Sequence, residues 1–158
     1  MNENIVQEVF DQLMKKGLTF ASAESCTGGN IAHQITLIAG CSNIFKGTAV
    51  TYATPMKTKV LGVPAQTIEK YSVVSQQVVE SMATGVRDLM EADFSVATTG
   101  VAGPSGGTAL TPVGTVWIGV ASKNGVVSHC YHFKGDRVEV INQATFAAYE
   151  MLKKQIID

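Results

Sequence analysis

The chain has 158 residues, a formal net charge of −1, 46% hydrophobic and 16% charged residues, enough apolar mass for one domain with a substantial core. Its basic residues are scattered and its arginines are limited to Arg87 and Arg137, so it lacks the basic stripe that neutralises nucleic-acid phosphates. Apolar runs such as GTVWIGVA fall far short of the roughly 20 residues that span a bilayer, the N-terminal stretch is not a signal peptide, and Cys26, Cys41 and Cys130 form no C-x-x-C pattern. A single cytoplasmic domain over 1–158 is expected, with no metal, no cofactor, no nucleic acid and no membrane among its partners.

Ile5, Val6, Val9, Phe10, Leu13 and Met14 recur at helical spacing, and Gly17 after Lys15 and Lys16 marks a stop. LTFASAE then reads as a short buried strand. Ile31, Ile35 and Ile38 share one face of a second helix ending at Gly40, and FKGTAVTY reads as the next strand. Thr54-Pro55 predicts a helix start, with Thr54 as N-cap, Pro55 at the first helical position and Lys57 in the first turn. A further helix is predicted from Ser75 to about Glu91, with Val78, Val79, Met82, Val86 and Leu89 on its apolar face. FSVATTG is a strand opening into the irregular loop VAGPSGGTALTP. GTVWIGVAS and VVSHCYHF flank Lys123-Asn124-Gly125, a hairpin signal, and a last helix runs from Arg137 or Val138 to the end.

This alternation predicts an α/β domain of three α/β/α layers, with a mixed sheet and one late β-hairpin. Ligands in such sheets bind beyond the carboxyl ends of strands. Three loops leave strand ends with polar or glycine-rich chemistry, Glu24 to Gly29, Tyr52 to Lys57 and Thr98 to Gly107, and they are expected to converge.

Lys57 faces the positive end of a helix dipole, which favours a neutral amine able to serve as base to a serine hydroxyl; the plain alternative is a solvated lysine beside Lys59. The serine candidate is Ser42 in GCSNIF, with a capping or turn role as its alternative. Arg137, beside the predicted N-cap Asp136, suits an anion such as phosphate, or else a surface ion pair. GVAGPSGG lacks the Lys-Ser/Thr of a Walker A loop. Strand alternation sends His129 and His132 to opposite faces, and His33 is isolated, so no metal site is indicated. Cys26 is a possible thiol nucleophile, but His33 lies two turns, about 10 Å, along a helix, too far to be its base.

AESCTGG, GCSNIFKGTAVTY, Lys57 followed by VLGV, the stretch from VVSQQVV to TTGVAGPSGG, PVGTVWIGVA and FKGDR, in this order, closely resemble the CinA C-terminal family, the nicotinamide mononucleotide amidohydrolases. The resemblance covers nearly the whole chain. It implies hydrolysis of the nucleotide's carboxamide to nicotinate mononucleotide and ammonia, in pyridine nucleotide salvage, without a metal. It places the catalytic pair on Ser42 and Lys57, with Tyr52 beside them. Substrate contacts are expected from Ser25, Thr27, Gly28 and Gly29 in the first turn, from Thr99, Gly100 and Gly103 in the second loop, and from Arg137. It further implies a small-molecule nucleotide as substrate, a homo-oligomer, and a stand-alone form without the family's extra N-terminal hydrolase domain. The chain departs from the family where YATPMK replaces Y-S-N-E-A-K, where GGTALTPVG lacks charged residues, and near Ile141 and Asn142, where a further arginine is expected. Two other readings stay open at this level: a catalytically silent nucleotide-binding or regulatory domain, and a cysteine amidase built on Cys26.

Overall fold

In a computed structural model, which describes residue 2 and residues 4–158, helices and strands alternate as α1 (Ile5–Lys16), β1 (Phe20–Glu24), α2 (Asn30–Thr36), β2 (Phe45–Val50), α3 (Thr54–Leu61), α4 (Ala65–Tyr71), α5 (Gln76–Met90), β3 (Phe94–Gly100), β4 (Thr115–Ser122), β5 (Gly125–His132) and α6 (Arg137–Ile157). The sheet order is β2-β1-β3-β4-β5. β1 pairs parallel with β2 and β3, and β3-β4 and β4-β5 pair antiparallel. The fold is the expected mixed α/β sheet with a late hairpin.

Strand alternation builds a core on each face. Ile5, Val9 and Leu13 of α1, Ile31 and Ile35 of α2, and Tyr149 and Leu152 of α6 bury against Phe20 and Ile118 on one side. On the other, Val79, Met82 and Val86 of α5 meet the small residues Ala21, Ala23 and Ala97, which let the helix lie close. Each large side chain so buried contributes roughly 1.5–3 kcal/mol. Gly85 is where α3 crosses α5: a Cβ there would overlap the backbone carbonyl of Leu61, so only glycine permits the approach.

The stops and caps follow their chemistry. Gly17 closes α1 in the left-handed conformation, Ser75 Oγ accepts from Val78 N, and Asp136 with Glu139 forms a capping box on α6. Three expectations need correction, and one helix went unanticipated. α2 ends at Thr36 rather than Gly40, because the following residues tighten into i→i+3 bonds and Gly40, with φ 89°, opens a separate 3-10 turn over Cys41–Asn43. The N-cap of α3 is Ala53, whose carbonyl accepts from Met56 N, so Thr54 is already helical. Leu89 is exposed rather than on the buried face of α5. α4 has no counterpart in the sequence reading: none of its residues is buried, so it carries no apolar period.

After β1 the chain passes to α2 on one face; after β2 it passes to α3 and α5 on the other. The two connections part beyond the carboxyl ends of adjacent parallel strands, which opens a crevice there.

Candidate active site

Three segments meet at this crevice: Ser25 and Cys26 after β1, Tyr52 to Lys57 after β2, and Thr99 to Gly106 at the end of β3 and beyond. They enclose a cleft of about 310 Å³. At its floor lies Lys57, only 1% exposed. Its Nζ donates to the Thr51 carbonyl oxygen at 2.6 Å and lies 3.1 Å from Ser25 Oγ. No carboxylate among the described residues pairs with it. Burial therefore pushes the Lys57 amine down from its ordinary value, opposed only by the neighbouring Cys26. A buried amine poised on a hydroxyl has the geometry of a base and its nucleophile.

The hydroxyl facing Lys57 is not Ser42. Ser42 is exposed in the 3-10 turn before β2, at the strand's amino end, whereas Lys57 follows its carboxyl end. The six residues of β2 alone span about 20 Å, so the two side chains do not meet. Ser25 takes the place expected of Ser42. The signal for it was in the sequence, because Ser25 directly follows a strand's carboxyl end and Ser42 precedes a strand.

The glycine turn after β1 also differs from expectation. Glu24 is fully buried, and its two carboxylate oxygens accept from Thr27 Oγ1, Gly29 N, Ile31 N, Ala32 N, Thr48 Oγ1 and Ser22 Oγ at 2.8–3.3 Å. Its charge sits at the N-terminus of α2 and satisfies donors there. Gly28 N donates to the Ser25 carbonyl. Thr27, Gly28 and Gly29 thus spend their donors inside the turn and do not line the cleft, leaving Ser25 as the member of that set that does. Glu24 and Thr98 are the residues sequence reasoning missed: Thr98 Oγ1 accepts from Ser25 N at 3.4 Å and lies 3.0 Å from Thr27 Oγ1.

On the opposite wall, Thr99, Gly100 and Gly103 line the cleft; Thr99 Oγ1 donates to the Val73 carbonyl and ties the α4–α5 connection to the wall. At the rim, Arg137 in the first turn of α6 donates to the Gly103 carbonyl at 2.6 Å and to Tyr52 Oη at 2.8 Å. Tyr52 is therefore held by Arg137 rather than by Lys57, and Arg137 has no Asp or Glu partner among the described residues. Thr54 stands on the cleft wall where the family pattern has asparagine. Cys26 reaches the cleft, but burial pushes its thiol up to about 12, which disfavours the thiolate a nucleophile requires. No group of three or more His, Cys, Asp or Glu side chains able to hold a metal occurs among the described residues.

The CinA C-terminal domain model matches residues 2–156. The chain belongs to the CinA C-terminal domain family. It is similar to a putative competence-damage inducible protein of Caldicellulosiruptor saccharolyticus, with 43% identity over 99% of this chain and 38% of that protein. It is also similar to a CinA-like protein of Flavobacterium psychrophilum, 49% identical over 92% of this chain and 35% of that one. The CinA C-terminal domain here thus spans little more than a third of the length of these relatives. Among solved structures, the competence/damage inducible protein CihA of Agrobacterium tumefaciens superposes with a TM-score of 0.95 at 36% identity, covering 99% of this chain and 95% of that one. A CinA superfamily protein of Klebsiella pneumoniae 700603 superposes with a TM-score of 0.94 at 34% identity, covering 98% and 96%.

Proposed function

We propose that this CinA C-terminal domain hydrolyses the carboxamide of nicotinamide mononucleotide to nicotinate mononucleotide and ammonia, with Ser25 as nucleophile and Lys57 as general base. The observation that carries the reading is the buried Lys57 amine 3.1 Å from Ser25 Oγ at the floor of the cleft. Neutral Lys57 takes the Ser25 proton as Oγ attacks the carboxamide carbon. The oxyanion is assigned to backbone N–H groups of the Ala102–Gly106 loop, since Val101 N already donates to the Thr115 carbonyl. Protonated Lys57 then returns the proton to the leaving nitrogen, ammonia departs, and water, deprotonated by the same amine, cleaves the acyl-serine ester. Arg137 at the rim, with donors in a planar fork, is assigned to the substrate phosphate, exchanging its contacts to Gly103 and Tyr52 for it.

The test is ammonia release from nicotinamide mononucleotide by the purified chain, with nicotinate mononucleotide identified as co-product. Turnover is expected in wild type and in Cys26→Ala, and loss of turnover in Ser25→Ala and Lys57→Ala. Undiminished turnover in Ser25→Ala would remove the assigned nucleophile. Tight binding of the nucleotide by wild type without any product would make this a silent binding domain.

A further inference from the structure

The tetrahedral nitrogen of Lys57 has three hydrogen-bonding positions, and two are accounted for by the Thr51 carbonyl oxygen at 2.6 Å and Ser25 Oγ at 3.1 Å. The third matters most once the amine has taken a proton, because an ammonium has three N–H donors and a buried charge short of acceptors is costly. The surroundings offer it no anion. Cys26, Tyr52 and Arg137 are the titratable or charged side chains that line the cleft with Lys57; β3 and the α4–α5 connection contribute none, and the buried face of α5 is apolar. Glu24 faces α2 from the other side of β1.

One buried side-chain oxygen among the described residues has no hydrogen-bond partner, and it is Thr51 Oγ1. Thr51 is 2% exposed, and its own carbonyl already holds Nζ. An unpaired buried hydroxyl destabilises a fold, and valine would fill the same space without that cost. The register shows where this side chain faces. Ser22 and Thr48 hydrogen-bond on the α2 face of the sheet, whereas Ala23 and its partner Ala49 pack toward α5. Thr51 N donates to the Glu24 carbonyl and continues the ladder, so Thr51, two residues beyond Ala49, directs its side chain to the α5 face. Lys57 reaches the cleft from that same face, beside Leu61 on the buried side of α3. Tyr52 turns the other way and meets Arg137 of α6.

We infer that Thr51 is a positioning residue for the general base: its hydroxyl, turned about χ1, accepts the third N–H of Lys57 once the amine has taken the Ser25 proton.

This rests on the Ser25 and Lys57 assignment above. The proton passes from Ser25 Oγ to Nζ and later to the leaving nitrogen, and Thr51 keeps its own proton throughout. The carbonyl and hydroxyl of one residue hold two N–H groups of the ammonium, which leaves the last aimed into the cleft at the departing amine.

Thr51→Val is the test, since it removes the hydroxyl and keeps the shape. It should lower kcat about tenfold with KM near wild type, while the denaturation midpoint stays level or rises. Loss of an acceptor that favours the charged form should also move the rising limb of the kcat/KM profile to lower pH. Thr51→Ser should stay within about twofold of wild type. The same titration is readable without turnover, from the chemical shift of Lys57 Cε in lysine-labelled protein, assigned by its absence in Lys57→Met. A Lys57 titration unmoved by Thr51→Val overturns the inference, and so does Thr51→Ser behaving like Thr51→Val. Absence of ammonia release from wild type would sink the amidase reading instead, and the titration would still decide on Thr51. If Thr51→Val fails to fold, Thr51→Ala set against Thr51→Ser makes the same comparison.

Discussion

Ser25 and Ser42 are two serines beside the same pair of parallel strands, one at the carboxyl end of β1 and the other at the amino end of β2. Ser25 has a buried amine 3.1 Å from its oxygen; Ser42 lies exposed in a 3-10 turn. Nearness in sequence favours Ser42, which stands 15 positions from Lys57 against 32 for Ser25. The direction of a parallel strand decides otherwise. The segments leaving the carboxyl ends of the parallel strands β1, β2 and β3 arrive at one end of the sheet, so Lys57 meets the serine that shares that end.

The largest effects should come from the carboxyl end. Ser25→Ala and Lys57→Ala should each lower kcat on the amide substrate by about 10³-fold or more, and the double variant should be no worse than either single one, because the pair acts as a unit. Their pH dependence separates a base from a structural lysine. Burial holds the Lys57 amine below its ordinary value, so kcat/KM should rise with pH through that lowered value as the amine loses its proton. Stability follows the same sign. Between the lowered folded value and the unfolded value of about 10.4, the unfolded chain binds more protons, so unfolding free energy rises with pH across that window for wild type and not for Lys57→Met.

Next in size is the support beneath Ser25. Glu24→Ala should destabilise the domain by roughly 3 kcal/mol, read by denaturant unfolding, because it leaves the buried donors of Gly29, Ile31 and Ala32 without an acceptor. At the rim, Arg137→Ala should raise KM about tenfold with little change in kcat, and Arg137→Lys should recover only part of it, since lysine cannot reproduce the planar fork. The smallest effect belongs to the other serine: Ser42→Ala should stay within about twofold of wild type in kcat and KM, a difference inside the ±0.5 kcal/mol of an ordinary surface substitution. A large loss there with Ser25→Ala intact would reverse the comparison.

Much of the scaffold was legible because its signals are local. Gly17, Ser75 and Asp136 announce helix ends through chemistry completed within a few residues. The site was legible in part: Lys57 stood out by opposing a helix dipole, and Arg137 by its place beside a cap. Glu24 did not, because a carboxylate that closes its own turn reads in sequence like one facing a ligand. The glycines of AESCTGG were misleading for the same reason. A glycine-rich turn at a helix N-terminus presents donors to a ligand only when nothing within the chain takes them first, and here Glu24 does.

Gly85 lies in the middle of α5, outside the cleft lining, yet it holds α3 at its distance from the helix layer by touching the chain at Leu61, one turn beyond Lys57. A methyl group at that position would lift the far end of α3 and swing the amine away from Ser25 while leaving both cores filled. Drift at position 85 would therefore register as an inactive yet folded lineage, and a catalogue of essential positions confined to the cleft lining would omit it.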